Sequence, residues 1–243
     1  MISTTETGHA KNLATFKTIV NFCQGYGAAY NPATEQIKLD NLLIQLAAAE
    51  QAHTDCIKKQ TTFNNATDER MKHFAELGAK ATRIMNAILA SGAAENTIKS
   101  ARSIMNKLQG KRVGKIIENT DPSQPPAQTS SVSQRSYDKQ LEHLSALLEL
   151  VESITSYQPN ETELQKASLS AYKTQLSDTN NLVMQSYTDW SNARIARYTQ
   201  YYAKATGFAD TANLIKAYIK SIFGATSQQY KQLSPLQFSH PKQ

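Results

Sequence analysis

Glu50 and His53 are the residues whose types and spacing come nearest to metal chemistry. Three positions apart on a helix, a carboxylate and an imidazole share one face, as in the Glu-x-x-His motifs of di-iron bundles. Such a bundle needs two motifs, and the equivalent residues of the repeat described below are Ser177 and Asn180, which cannot replace them. His53 and Cys56 have half the spacing of a zinc site, without a second pair. We therefore expect no metal and no cofactor, and we interpret His53 as a surface histidine.

The sequence contains none of the common local signatures of catalysis. It has no Gly-rich phosphate loop, no nucleophile elbow and no cysteine with a patterned histidine partner. Serine, histidine and aspartate residues are plentiful, but their arrangement does not select any three of them. We expect no catalytic residues and a protein that is not an enzyme.

Arg70 and Arg197 are charged residues at positions where helical spacing predicts apolar ones. A run that steps by three and four places Arg70 on one seam: Phe63, Ala66, Arg70, Phe74, Leu77, Ala81, Ile84 and Ile88. One interpretation is that each arginine reaches solvent or pairs with a carboxylate, such as Asp68, Glu69 or Asp189, and so fixes helix register. The other interpretation is that the seam faces a second protein.

A basic stretch without an acidic residue lies just before Glu118. Its members are Lys99, Arg102, Lys107, Lys111, Arg112 and Lys115. Such residues can bind phosphate backbones, and tyrosines such as Tyr201 and Tyr202 can stack on bases. The structural alternative is that the lysines complement a helix dipole and the tyrosines form a core. Nucleic-acid binding is therefore an alternative function.

The composition favours an all-α protein. The chain has 243 residues, and its hydrophobic content of 40% is sufficient for a buried core. Its net charge is +6 at pH 7. Its nine glycines and seven prolines lie at the ends of runs and in one linker, unlike the turns of a β-rich chain. There is no signal-peptide pattern and no apolar run of the about 18 to 20 residues that a membrane span requires. With Cys23 and Cys56 outside any disulfide pattern, we expect a soluble, cytoplasmic protein.

Two long runs without proline, Ala33 to Ser91 and Asn160 to Phe223, dominate the sequence. The first follows Tyr30-Asn31-Pro32 and the second follows Tyr157-Gln158-Pro159. We predict that each run is one continuous helix; the first would be about 85 to 90 Å long at ~1.5 Å per residue. The alternative is a break at Gly207 with Thr206 as the N-cap, which folds a last helix back. We favour unbroken helices because the two runs align across this point without a gap.

The two halves of the chain match each other, which predicts an internal duplication. Residues 127 positions apart pair as Tyr30 with Tyr157, Pro32 with Pro159, Leu42 with Leu169, Phe63 with Trp190 and Arg70 with Arg197. Short amphipathic helices before the long runs align at 131 positions, Leu13, Phe16, Ile19 and Val20 with Leu144, Leu147, Leu150 and Val151. Each copy is a short-helix/long-helix hairpin, and two hairpins predict an elongated, coiled-coil-like helical bundle.

Four segments follow from this organisation. Residues 1–110 hold the first hairpin and one extra helix, Thr97 to Leu108, and residues 111–136 form a Pro/Ser-rich linker. Residues 137–224 hold the second hairpin, and residues 225–243 an extended tail.

The short helices cover only one end of the long ones, which leaves aromatic residues of the second copy in need of shelter. We therefore predict a non-enzymatic structural or scaffold protein that self-assembles through its long helices and tail, with other protein subunits as alternative partners. The candidate interface residues are Arg70, Arg197, Trp190, Tyr201, Tyr202, Phe208, Leu236 and Phe238. A helical pore-forming protein is a further alternative, although no segment is apolar enough to span a membrane. Neither nucleic acid nor membrane is our expected partner.

Three stretches carry a resemblance: Ser133-Gln134 before a helix, Tyr157-Gln158-Pro159-Asn160-Glu161, and Lys220-Ser221-Ile222-Phe223-Gly224-Ala225-Thr226-Ser227. Together they resemble a group of uncharacterised bacterial all-helical proteins, and the likeness covers most of the second half. The resemblance implies a bacterial source and a helical fold, and it implies no activity.

Overall fold

The structure, a computed structural model, describes residues 5–110 and 135–239. Within these ranges the chain forms eight α-helices and no strand, which confirms the all-α prediction. The helices are α1 (Thr5–Gly25), α2 (Leu39–Ala75), α3 (Leu77–Ala90), α4 (Glu95–Leu108), α5 (Tyr137–Ser153), α6 (Lys166–Tyr202), α7 (Phe208–Phe223) and α8 (Gln228–Leu233). Short 3-10 turns, Glu35–Ile37 and Thr162–Leu164, precede α2 and α6.

The chain divides into two compact units, and each unit takes segments from both halves of the sequence. The first unit contains the residues up to Phe63 and those from Ser186 onward, and the second contains Asn64–Gln185. The first unit therefore combines α1 and the start of α2 with the end of α6, α7 and α8. Each compact unit therefore contains residues from both predicted segments, 1–110 and 137–224.

In the first unit, the start of α2 and the end of α6 are antiparallel neighbours. Gln45 Nε2 donates to the Thr206 carbonyl at 2.8 Å, and Lys59 Nζ lies 2.8 Å from Asp189 Oδ2. Helix α7 packs against α1, where the Phe16 and Phe208 rings stack with centroids 4.8 Å apart. The fully buried core residues of this unit include Phe16, Ile19, Val20, Leu42, Ala49, Tyr201, Phe208, Ala212, Ile215, Ile219 and Leu233.

In the second unit, α4 packs between α3 and α5. The apolar face of α4 is regular, with Ala101, Met105 and Leu108 buried at spacings of four and three. Ser136 caps α5 by accepting a hydrogen bond from the Lys139 amide at 3.3 Å, which satisfies one N–H of the first turn. The fully buried residues of this core include Leu77, Ala81, Ile84, Ile88, Ala101, Leu144, Leu147 and Leu176.

A buried tyrosine fixes the entry to each long helix. The Tyr30 hydroxyl donates to the Ile37 carbonyl at 2.6 Å, and the Tyr157 hydroxyl donates to the Leu164 carbonyl at 2.9 Å. Each bond spans seven residues and closes the loop that contains the 3-10 turn. The sequence phrases Tyr-Asn-Pro and Tyr-Gln-Pro thus mark loops whose tyrosine is a structural residue.

The prediction of two unbroken helices is wrong. Helix α2 ends at Ala75, and one residue separates it from α3; α6 ends at Tyr202, and five residues separate it from α7. The connection after α6 cannot be helical, because Ala205 has a positive φ of 67° and Asp210 Oδ2 accepts a hydrogen bond from the Ala205 amide at 2.8 Å. The N-cap of α7 is Gly207 rather than Thr206. The two runs therefore align only with a four-residue gap, which the constant spacing of 127 positions did not reveal.

The region predicted to be an extended tail, residues 225–243, contains a helix. Ser227 caps α8 by accepting a hydrogen bond from the Tyr230 amide at 3.1 Å, and Leu233 at the end of α8 is fully buried. Residues 236–239 follow without helical structure. Most of the predicted linker, residues 111–134, and the last four residues of the predicted tail lie outside the described residues.

Candidate functional site

Arg70 lies in a polar network of the second unit. Its Nη1 donates to Asn180 Oδ1 at 3.0 Å, and its guanidinium lies 4.1 Å from the centroid of the Tyr137 ring. Asn180 is buried and its Nδ2 donates to Asp138 Oδ1 at 2.8 Å, so an amide links the arginine to a carboxylate. Asp138 was not among the carboxylates that the sequence suggested. It lies in the first turn of α5, and only the packing of α5 brings it to this seam.

Arg197, which the predicted duplication pairs with Arg70, is buried in the first unit, with 2% of its surface exposed. Near it, Tyr201 is fully buried, with its ring centroid 4.3 Å from Phe208 and 5.7 Å from His9. Burial raises the pKa of Tyr201, and the charge of Arg197 opposes that rise. The Tyr201 hydroxyl has no hydrogen-bond partner among the described residues. This region is therefore a buried polar cluster.

The candidate interface residues differ in how far their side chains are exposed. Arg197, Tyr201 and Phe208 belong to the interior of the first unit, so a partner cannot reach them while the unit is folded. Trp190 is half-buried, stacks on Phe63 with centroids 5.4 Å apart, and is covered by the Arg194 guanidinium at 5.3 Å. The residues that a partner can reach are Arg70, Trp190, Tyr202, Leu236 and Phe238, which are half-buried.

A cleft on the first unit holds the end of the described chain; we call it the tail cleft and define it by Asn12, Tyr202, Phe208 and Lys216. Asn12 is 1% exposed, and its side-chain amide makes two hydrogen bonds to the backbone of Ser239. Its Nδ2 donates to the Ser239 carbonyl at 2.7 Å, and its Oδ1 accepts from the Ser239 amide at 3.1 Å. The Tyr202 hydroxyl accepts from Asn12 Nδ2 at 2.6 Å and donates to the same carbonyl at 3.3 Å.

Apolar and charged contacts complete the tail cleft. The Phe238 ring lies 5.5 Å from that of Phe208, and Leu236 packs against the same core. Lys216 Nζ donates a hydrogen bond to the Leu236 carbonyl, and burial lowers the pKa of this lysine. Asn12 and Lys216 were not among the residues predicted from the sequence. Asn12 continues the spacing of Phe16, Ile19 and Cys23 on α1, so a polar residue on an apolar face was the available signal.

An open groove of about 740 Å³ lies between α2 and α6 in the first unit; we call it the α2–α6 groove. Ala48, Ala52, Asp55 and Lys59 line it from α2 at spacings of four, three and four. Residues of α6 line it at the same spacings: Asp189, Ala193, Ala196 and Gln200. Both helices thus present a narrow face of small residues, bordered by polar side chains.

The basic stretch is described only in part. Lys99, Arg102 and Lys107 are exposed on α4, and Lys99 pairs with Glu95 one turn earlier at 2.8 Å. Lys111, Arg112 and Lys115 lie outside the described residues. The described part therefore places three cations on one helix, one of them already paired.

The residues considered for metal chemistry have structural contacts instead. Glu50 accepts a hydrogen bond from Lys17 at 2.8 Å, Cys56 is buried, and His53 is half-buried. In residues 5–110 and 135–239, no three histidine, cysteine, aspartate or glutamate side chains are grouped as metal ligands. Over the same ranges, no helix combines the length and the apolar character needed to cross a membrane.

Comparisons with known proteins add no functional assignment. No family model, no curated protein and no solved structure matches this chain. The candidate functional surfaces of the first unit are therefore the α2–α6 groove and the tail cleft.

Proposed function

We propose that this protein is a non-enzymatic helical scaffold that self-associates, and that the α2–α6 groove is one contact surface. The observation that carries the proposal is the matched pair of small-residue faces, with Ala48 and Ala52 opposite Ala193 and Ala196. Small side chains let a further helix approach closely. Two antiparallel helices whose lining residues have the same spacing form a surface that suits a twofold-symmetric contact between identical chains. Lys59 and Asp189 at the polar border already pair with each other within one chain at 2.8 Å, so the alanine faces carry the proposed contact.

We further propose that the two halves are copies of one unit. Helices α2 and α6 both contain 37 residues, and their preceding 3-10 turns begin 127 positions apart, at Glu35 and Thr162. Tyr30 and Tyr157 make equivalent hydrogen bonds. The buried residues of α3 and α7 also correspond at 131 positions: Leu77 with Phe208, Ala81 with Ala212, Ile84 with Ile215 and Ile88 with Ile219. The first part of α2 supports a coiled-coil-like pairing, because its buried residues Leu42, Leu46 and Ala49 lie at spacings of four and three and Cys56 follows seven residues later.

We also propose a cytoplasmic location. Its support is that Cys23 and Cys56 are both buried and neither forms a disulfide. Burial raises the pKa of the Cys23 thiol to about 11, which keeps it protonated and slow to oxidise at neutral pH.

The proposed groove contact is tested by adding a charge to one alanine. Ala52→Glu places a carboxylate in the α2–α6 groove, and Ala47→Glu makes the same change at an exposed position of α2 outside it. We expect the natural chain and Ala47→Glu to sediment as multimers at high micromolar concentration and Ala52→Glu to shift to the mass of one chain. A natural chain that stays monomeric at that concentration overturns the proposal, and equal association of both variants rules out the groove.

A further inference from the structure

We infer that the α2–α6 groove takes helix α2 of a second copy, and that Ile44 of each copy packs beside Ala52 of the other. This inference rests on the proposed self-association, and it adds the residue that anchors the contact and the register of the two helices. The groove is open, so a segment of a second molecule can enter it.

Ile44 is an apolar side chain that its own chain leaves uncovered. With 67% of its surface exposed, it is the most exposed large apolar side chain among the described residues. It lies four positions before Ala48 and eight before Ala52, so the three residues belong to one i, i+4 ridge of α2. A single exposed isoleucine is common on a protein surface, but this one adjoins a row of small residues.

The small residues of the groove leave room for such a side chain. Two alanines of α2 lie opposite two alanines of α6: Ala48, Ala52, Ala193 and Ala196. When two helices pack, the ridge of one fills the space above small side chains of the other. The protruding side chain and the space that can receive it therefore lie next to each other on the same molecule.

The relative positions of these residues identify a second copy as the occupant. A twofold contact uses the same patch on both sides, so that patch must be complementary to itself. Ile44 and Ala52 lie four positions on either side of Ala48. An antiparallel crossing of two α2 helices with Ala48 at the twofold axis therefore places each Ile44 against Ala52 of the other copy. An unrelated partner would not require an exposed isoleucine and a small residue at equal distances from one alanine.

The charges around the groove are compatible with this register. Lys59 and Asp189 neutralise each other within one chain at 2.8 Å. The remaining carboxylate of the lining, Asp55, accepts a hydrogen bond from Gln51 at 2.8 Å. It lies seven positions from Ala48, so the two copies of Asp55 are on the order of 20 Å apart along the helices, at ~1.5 Å per residue. Like charges therefore do not meet when two copies of this surface come together.

Exchange of the two side chains tests the inference in the full chain. Sedimentation equilibrium measures the dissociation constant of the dimer. We expect Ile44→Ala to weaken the dimer about tenfold or more, because two buried contacts are lost. Ala52→Ile should also weaken it, because two large side chains then meet. The double variant Ile44→Ala/Ala52→Ile should recover most of the lost affinity, since a large side chain again opposes a small one.

Two control variants test the register. Ile195→Ala removes an isoleucine of α6 that is 63% exposed and does not line the groove, so we expect the dissociation constant of the natural chain. Ile44→Ala/Ala48→Ile adds the same side chain at the residue that meets itself, so we expect no recovery. Circular dichroism checks that each variant is folded. If Ala52→Ile is unfolded, Ala52→Val replaces it alone and in the double variant.

The outcomes separate this inference from the proposed function. Suppose that Ala52→Glu makes the chain monomeric whereas Ile44→Ala leaves the dimer unchanged. The groove contact then stands and the role of Ile44 is overturned. If both single variants weaken the dimer and the Ile44→Ala/Ala52→Ile variant recovers nothing, the register is overturned. A natural chain that is monomeric at high micromolar concentration overturns both the inference and the proposed function.

Discussion

Single buried amides organise the polar contacts of both units. Asn12 holds the backbone of Ser239 in the first unit, and Asn180 joins Arg70 to Asp138 in the second. An asparagine can serve in this way because its side chain carries both donors and an acceptor. Such contacts specify which backbone or side chain must lie opposite, whereas an apolar residue at the same position would accept many neighbours.

At the residue scale, we expect Arg70→Met to destabilise the protein by about 1–3 kcal/mol. The change removes the hydrogen bond to buried Asn180 and the stacking on Tyr137, and it leaves Asn180 Oδ1 without that donor. Urea unfolding measures the loss. In a double-mutant cycle with Asn180→Leu, the two losses should not add, because both variants break one bond. Additive losses would show that Arg70 acts through its packing alone.

At the scale of elements, the break between α6 and α7 determines the shape of the second half. It allows α7 to fold back on α1 and lets Gln36 Nε2 donate to the Ala205 carbonyl at 2.6 Å. Gly207 permits the sharp turn, since a Cβ there would lie 2.6 Å from the Ala203 nitrogen and 2.8 Å from the Tyr201 carbonyl oxygen. The equivalent connection in the first half is Glu76 alone, with helical angles, so α2 and α3 need no such glycine.

Two glycine substitutions test this difference. We expect Gly207→Ala to cost about 1–3 kcal/mol, because the added methyl group meets backbone atoms that must move. Gly78→Ala is the matched control: nothing lies within 4 Å of its Cβ position on α3, so it should stabilise the protein by about 0.5–1 kcal/mol. Thermal unfolding of both variants provides the comparison. Equal effects would contradict the turn described here.

For the whole molecule, the division into two units predicts that removal of the segment in the tail cleft has local consequences. Truncation after Ser234 removes the partly buried Leu236 and Phe238 and the backbone partners of Asn12. We expect amide hydrogen exchange to accelerate in α1 and α7, which surround the cleft, and to remain unchanged in α4 and α5 of the second unit. Phe238→Ala should give an intermediate effect at the same helices. Faster exchange in both units would show that they unfold as one.

The helical class and most of the core residues can be predicted from the amino-acid sequence, whereas the match between the two halves of the chain stays a prediction. Apolar residues recur at spacings of three and four along the chain, and this spacing alone places Phe16, Ile84 and Ile215 on buried faces. The predicted starts of the two long runs, Ala33 and Asn160, each lie six residues before the helices α2 and α6 begin.

Which helix covers each of these apolar faces depends on packing between helices. Periodicity is a property of one helix and does not state which other helix covers it, so the mixing of both halves in each unit is not visible in the sequence. The partners of Arg70, the burial of Tyr201 and the cleft around Asn12 all depend on contacts between residues more than 40 positions apart. The fold-back of α7 depends on the positive φ of Ala205, and local propensity does not favour that conformation for alanine.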